Sequence, residues 1–247
     1  MEIVDDPLRL RGCYSFCLHL HPCRDLASGG EFLGAIGKGL EHDGCAAELV
    51  TTALKRAGHD ASVTIEPWAR ALRYTYSGRF DGIVAIWRTR ERMALIDFSQ
   101  SYYENRIVVL KRRDRELRIN SLKDLSGLTV GTGIDYGYND ELGDATNFKR
   151  EAVPFTVQNL EKLMSSRVDV AIEDDVIAKY HMAKGEADRH YGRDLELLLP
   201  PLFTLPLHFG MSGQFPHHRE VIEQFDAALA AMRADGSYAE ILRRHNC

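Results

Sequence analysis

The stretch FDGIVAIWRTRERMALIDFS, residues 80–99, places two short apolar runs on either side of a turn that carries three arginines. The first run, GIVAIW at 82–87, is continuous rather than alternating, which is typical of a strand that is covered on both faces. Arg88, Arg90 and Arg92 follow directly after it. Because open α/β sheets bind ligands at the carboxyl ends of their strands, this turn is a candidate ligand site.

Strands and helices alternate on both sides of this stretch. A charged connector of mixed sign, KRRDRELRIN at 111–120, divides the alternation into two parts, and a solvated crossing is its favoured interpretation. The pattern therefore predicts an α/β protein with two mostly parallel sheets flanked by helices. Helices are predicted at 44–58, 67–78, 121–127, 156–167, 176–187, from 219 onward and at 237–245, and strands at 62–66, 82–87, 106–111, 128–133, 168–174, 195–199 and 206–211.

The composition is that of an ordinary globular protein with a slight acidic excess. Lys and Arg number 31 and Asp and Glu number 36, which gives a net charge of −5. This balance argues against a nucleic-acid partner, since such proteins usually carry a basic excess. The first ten residues, MEIVDDPLRL, lack the basic and then apolar pattern of an export signal.

The N-terminal part is the least regular. CYSFCLHLHPC, at 13–23, alternates as a strand does, with cysteines and histidines on one face. These residue types suit zinc, but residues two apart on a strand stand about 7 Å apart, so a strand with one buried face is favoured. Residues 24–43 are glycine-rich and are predicted to be irregular. The odd number of cysteines excludes full internal pairing and leaves the redox compartment open. They are Cys13, Cys17, Cys23, Cys45 and Cys247.

Four motifs occur in a fixed order between residue 68 and the C-terminal helix. They are the set Trp68, Leu72, Tyr76, Gly78 and Asp81; the set Thr89, Arg92, Asp97, Phe98, Ser99 and Tyr102; the set Leu122, Asp124, Leu125, Gly127, Val130 and Gly131; and Val168, Asp169 and Asp174, followed by the closing helix DGSYAEILRR at 235–244.

Together these motifs resemble the family 3 extracellular solute-binding proteins, the amino-acid-binding components of ABC importers, over residues 44–247. The resemblance implies a two-lobed periplasmic binding protein type II fold, in which each lobe is a mostly parallel sheet flanked by helices and two crossing strands join the lobes. Lobe 1 would comprise residues 1–108 and 207–247, with 1–43 atypical for the family, and lobe 2 residues 113–203. The crossings would be 109–112 and 204–206. It also implies a monomer without a cofactor, a periplasmic location and a membrane permease as partner.

The resemblance assigns the arginine turn to a solute. Arg92 would pair with the carboxylate of an amino-acid-like solute through two parallel hydrogen bonds, and Thr89 would supply a further donor. The alternative is that Arg92 pairs with Asp97 or another acid. Across the cleft, Asp174 would receive the ammonium group, unless it is only a helix N-cap. Glu173 and Asp175 are its substitutes.

The sequence departs from the family in the stretch VGTGIDYGYNDEL at 130–142. Asp135 stands where relatives have glycine, and a carboxylate there is unfavourable beside an anion. Trp87, Tyr136, Gly137 and Tyr138 are predicted to line an aromatic pocket, although Trp87 could equally be a core residue. Trp68 lies on a helical stripe and is predicted to be core.

Two other functions stay open at this stage. Some proteins of this fold are dehydratases, for which Glu173 would be the candidate acid, but no nucleophile–base pair accompanies it. A sensory or chaperone-like module without a transport partner is the third hypothesis. Binding of a small zwitterionic or anionic solute, without catalysis, is the main prediction.

Overall fold

The computed structural model describes residues 24–29, 41–184, 191–245 and 247. Nine strands in this part of the chain form one hydrogen-bonded sheet. They are β1 (Arg24–Gly29), β2 (Ala61–Glu66), β3 (Gly82–Trp87), β4 (Ile96–Phe98), β5 (Tyr103–Arg112), β6 (Thr129–Gly133), β7 (Lys149–Val153), β8 (Val170–Asp174) and β9 (Leu195–Ser212).

The strand order β2-β1-β3-β9-β5-β8-β6-β7 contains two parallel units of three strands. The first unit is β2-β1-β3 and the second is β8-β6-β7. The long strands β5 and β9 run antiparallel to each other between the two units and connect them. The predicted fold class, two α/β lobes joined by two crossing strands, is confirmed; the lobe boundaries stay a prediction.

Eight α-helices in the described residues flank this sheet, and the helix predicted at 121–127 is a short 3-10 turn, Leu122–Leu125. Helix α1 ends where Gly58 takes a positive φ of 86°, as the sequence predicts. Pro67 stands at the N-cap of α2 rather than in its first turn. The helices are α1 (Cys45–Arg56), α2 (Trp68–Tyr76), α3 (Asp140–Gly143), α4 (Thr156–Met164), α5 (Asp175–Lys184), α6 (Tyr191–Asp194), α7 (His218–Ala234) and α8 (Ser237–His245).

The prediction that residues 24–43 are irregular was wrong for β1. This strand pairs with β2 over its whole length and with β3 through Leu26 and Ala27. Leu26 is fully buried. Pairing on both sides, rather than an apolar run of its own, places β1 inside the sheet. Irregular structure was predicted because residues 24–43 are rich in glycine, and the strand itself has only two apolar residues among six.

The two strands predicted at 195–199 and 206–211 are one strand, β9. Its register against β5 shifts between Leu198 and Phe203, so the intervening residues form a bulge that accommodates Pro200 and Pro201. Leu199 in this bulge is 71% exposed. Strand β7 was missed, since KREAV has no apolar alternation and pairs only as the neighbour of β6.

Cys45 and Cys247 form a disulfide that ties the start of α1 to the end of the chain. Within the described part of the chain, no helix has the length and apolar character needed to cross a membrane.

Candidate functional site

Arg92 is buried at the edge of β3, with 5% of its surface exposed. Its Nη1 donates to the backbone carbonyl of Trp87 at 2.8 Å, and its Nη2 donates to the backbone carbonyl of Asp135 at 3.0 Å. Thr89 accepts the backbone N–H of Arg92 at 3.3 Å and so stabilises the turn. Burial lowers the pKa of the Arg92 guanidinium, and the nearby Tyr76 phenol opposes this shift. The turn therefore holds the Arg92 cation in place, and the two terminal nitrogens of its guanidinium donate to backbone carbonyl oxygens.

The Arg92 guanidinium contacts Trp68 of α2 and Gly137 of the stretch that follows β6. Its Cζ lies 5.0 Å from the centre of the Trp68 ring, which is a cation–π arrangement. A Cβ added to Gly137 would lie 2.6 Å from Nη1, so only glycine lets the backbone approach the guanidinium so closely. Trp68 is half-buried and donates through Nε1 to the Asp135 carbonyl at 2.9 Å. The prediction that Trp68 is a core residue was therefore incomplete, since its ring also faces the site.

Three aromatic rings lie beside Arg92. The Trp87 ring meets Tyr136 edge-on at 6.0 Å and Tyr138 at 5.7 Å, and the two tyrosine rings are 5.9 Å apart. A cavity of about 10 Å³ remains next to them, which is enough for about one water molecule. It is lined by Trp68, Ala85, Trp87, Arg92, Tyr136, Gly137 and Leu207.

A chain of hydrogen bonds leads from Trp87 to Asp174 across the crossing strand β5. Trp87 Nε1 donates to Asn105 Oδ1 at 2.9 Å, and Asn105 Nδ2 donates to Asp174 Oδ2 at 2.7 Å. The other Asp174 oxygen accepts the backbone N–H groups of Val176 and Ile177 at 2.9 and 3.1 Å. Asp174 thus caps α5, as the N-cap alternative predicts, and is connected through Asn105 to Trp87, which lines the cavity. A carboxylate oxygen has room for further donors.

Glu173 is also buried, next to Asp174. Its Oε2 accepts from the Thr156 hydroxyl at 2.6 Å and its Oε1 from the backbone N–H of Asp174 at 3.0 Å. Burial raises the pKa of Glu173 to about 7 and that of Asp174 to about 6. Burial and the Glu173 charge also raise the pKa values of Tyr136 and Tyr138. The contacts shown for both carboxylates come from neutral donors, so the negative charge here has little compensation.

Stability is expected to fall as pH rises through the range in which Glu173 ionises. Unfolded glutamate loses its proton near pH 4.5, whereas folded Glu173 keeps it to about pH 7, so the folded state binds more protons in between. Relative to wild type, Glu173→Gln should gain about 3 kcal/mol of unfolding free energy between pH 4 and pH 8. Urea unfolding of both proteins across this range measures the difference. A difference that does not change with pH would show that Glu173 ionises normally.

The other candidate residues are either exposed or paired with residues outside the candidate site. Arg88 and Arg90 are exposed, as expected for surface residues. Asp97, the alternative partner of Arg92, instead contacts His218 and lies 3.8 Å from Arg219. Asp175 faces another way and pairs with Arg106 and with Lys179.

The metal hypothesis for Cys13, Cys17, His19, His21 and Cys23 lies outside the described residues. Among the described residues, no group of side chains could hold a metal ion. The contacts of Asn105 and of the Asp135 carbonyl were missed by sequence reasoning. Asn105 directly precedes the strand predicted at 106–111 and belongs to none of the four motifs. The position of a backbone oxygen cannot be inferred from the sequence.

Comparison with known proteins decides the family. The model of the bacterial extracellular solute-binding proteins, family 3, matches residues 33–246. The chain belongs to this family. The match contains both the arginine turn and the acidic end of β8, which carry the two charges of the site.

Relatives of this solute-binding protein are similar along most of their length. The arginine-binding extracellular protein ArtP of Bacillus subtilis is 25% identical over 201 residues, which is 80% of this chain and 75% of the relative. The L-cystine-binding protein TcyA of the same organism is 26% identical over 197 residues, or 80% of this chain and 70% of the relative. An ancestral arginine-binding protein bound to arginine has the same fold, with a TM-score of 0.76, 20% identity and coverage of 92% and 99% of the two chains.

Proposed function

We propose that this protein binds an amino acid between its two lobes and delivers it to an ABC importer. The observation that carries the proposal is the line of contacts from Arg92 through Trp87 and Asn105 to Asp174. A fixed cation at one end and a buried carboxylate at the other match the carboxylate and ammonium groups of an amino acid. Charge-assisted hydrogen bonds of this kind are about twice as strong as neutral ones.

The two buried carboxylates at the end of β8 favour a solute that carries a positive group in addition to a carboxylate. Glu173 and Asp174 are neighbours, both are 2% exposed, and the donors described around them are neutral. Buried charges are normally paired. An ammonium or guanidinium group of the solute would supply the missing positive charge. One relative is named as an arginine-binding protein, so arginine is the first solute to test.

The proposed site also involves Thr89, Trp87, Tyr136, Gly137 and Tyr138. Thr89 shapes the arginine turn. The rings of Trp87 and Tyr138 form an apolar wall on which the Tyr136 ring packs, and Gly137 allows close approach of the backbone to Arg92. Such a wall with a few convergent polar groups is typical of small-molecule sites.

A location outside the cytoplasm is part of the proposal. The disulfide between Cys45 and Cys247 supports it, because disulfides persist in oxidising compartments and are rare in the cytosol. The family's extracellular members support it as well. A permease would then recognise the monomeric, closed, loaded form. Co-purification of the arginine-loaded protein with an amino-acid permease of the same organism tests this partner.

The two carboxylates at the end of β8 allow a matched test of the site. Asp174→Asn should weaken arginine binding at least tenfold, because it removes the charge that faces the ammonium group while asparagine still caps α5. Asp175→Asn removes the neighbouring charge, which pairs with Arg106 and Lys179 instead, and should leave the affinity unchanged. Isothermal titration of the two variants and wild type gives the comparison. A loss confined to Asp175→Asn would move the proposed site to the side of Arg106 and Lys179.

A further inference from the structure

Residues 134–138, between β6 and α3, occupy the space in front of Arg92. The Tyr136 ring lies against Trp87 and Tyr138, and the cavity left beside it holds about 10 Å³. An amino acid needs far more room than one water molecule. The segment must therefore move before any solute reaches the guanidinium.

The backbone of this segment makes the contact that a solute would make. The Asp135 carbonyl oxygen accepts hydrogen bonds from Arg92 Nη2 at 3.0 Å and from Trp68 Nε1 at 2.9 Å. Arg92 follows β3 of the first parallel unit, and Trp68 begins α2, which packs against that unit. Asp135, by contrast, follows β6 of the second unit. Asp135 has a φ of 57°, in the left-handed region that few non-glycine residues adopt. The Asp135 carbonyl oxygen thus links the two units across the site, in addition to the ring contacts of Trp87 with Tyr136 and Tyr138.

Two glycines allow the segment to come this close. A Cβ on Gly137 would lie 2.6–2.8 Å from the terminal atoms of the Arg92 guanidinium. A Cβ on Gly133 would lie 2.5 Å from the Tyr136 ring. Any larger residue at either position would force the backbone away from Arg92 or the ring out of its place.

We propose that residues 135–137 are an intramolecular competitor of the solute, and that Tyr136 sets the size of solute that is admitted. The Asp135 carbonyl takes the position of a solute oxygen at Arg92, and the Tyr136 ring fills the aromatic pocket. The empty protein is held closed by its own chain. The inference rests on the proposed function, since it assumes that Arg92 binds the solute.

The energetic consequence is a lowered apparent affinity. When a binding-competent form is only a fraction of the molecules, the observed dissociation constant rises by the inverse of that fraction. A change that weakens the competing contact without touching the rest of the site should therefore tighten binding. It should also open the empty protein.

Two substitutions weaken the contact in different ways. Tyr136→Ala removes the ring, and Gly137→Ala adds a Cβ that collides with the guanidinium; the φ of Gly137 lies outside the left-handed region, so alanine suits its backbone. Ile134→Ala is the matched control, because Ile134 belongs to the same segment, is 41% exposed and does not line the cavity. Calorimetric titration with L-arginine should show tighter binding, by about tenfold or more, in both test variants and no change in the control.

Measurements on the ligand-free proteins test the inference independently of any solute. Hydrogen exchange of the amides at 135–138 should be faster in Gly137→Ala than in wild type, and the radius of gyration from small-angle scattering should increase. Unchanged exchange and scattering would overturn the inference, as would affinities in both test variants that do not exceed the wild-type value. If the proposed function is wrong, neither wild type nor any of the three variants would bind an amino acid. The measurements on the ligand-free proteins would still show whether the segment holds the protein closed.

Discussion

Arg92→Ala is expected to reduce the affinity for an amino acid by about 100-fold or more. Removing one partner of a buried, hydrogen-bonded charge pair costs about 2–5 kcal/mol, and 1.4 kcal/mol corresponds to a factor of ten. Arg92 is 5% exposed, so water cannot take over its contact with the solute carboxylate. Isothermal titration with the amino acid that gives the largest thermal shift measures the effect.

Two controls isolate the geometry of the guanidinium. Arg92→Lys keeps the charge but loses the planar fork, and it should recover only a small part of the affinity. Arg88→Ala removes an exposed arginine of the same turn, which contacts the Met93 sulfur, and should bind as wild type does. Equal affinity in wild type and Arg92→Ala would remove Arg92 from the site.

Loss of the disulfide is expected to lower the free energy of unfolding by about 5 kcal/mol. Cys45 and Cys247 are 202 residues apart, and cross-linking so long a loop removes much of the entropy of the unfolded chain. For a chain of this length the change should lower the Tm by about 10 °C or more. Chemical and thermal unfolding of wild type and Cys45→Ala/Cys247→Ala measures it.

A reducing agent provides the control for this comparison. It should destabilise wild type more than the double variant, because only wild type has the Cys45–Cys247 bond, whereas Cys13, Cys17 and Cys23 are present in both proteins. Neighbouring ionic contacts, in which Glu48 meets Arg244 and His245, join α1 to α8 and are also present in both. Native oxidised protein should have no more than three titratable thiols; five would contradict the disulfide.

The strands and helices predicted correctly from the sequence are those whose own residues form a recognisable hydrophobic pattern. Strand β3 is six buried residues in a row, and α7 has buried residues at helical spacing. Such segments show their structure in a local pattern. Strand β1 does not, since it is a strand because β2 and β3 pair with it. Tertiary contacts of this kind override weak local preference.

The site shows the same division. The arginine turn and the acids that end β8 were recognisable from motif and position. The line of hydrogen bonds through Asn105 was not, because it depends on two strands that meet only in the folded protein. The disulfide joins residues 45 and 247 through the packing of α1 against α8, which no spacing of cysteines indicates.

The cation at Arg92 and its carboxylate partner in the solute can be tested together by changing both sides of the contact. Titrations of wild type and Arg92→Ala, each with an amino acid and with the amine that lacks its carboxylate, complete a double-mutant cycle. We predict that loss of the carboxylate weakens binding to wild type by about 100-fold and has almost no effect on binding to Arg92→Ala. The same loss in both proteins would show that Arg92 does not hold the carboxylate, and would contradict the account.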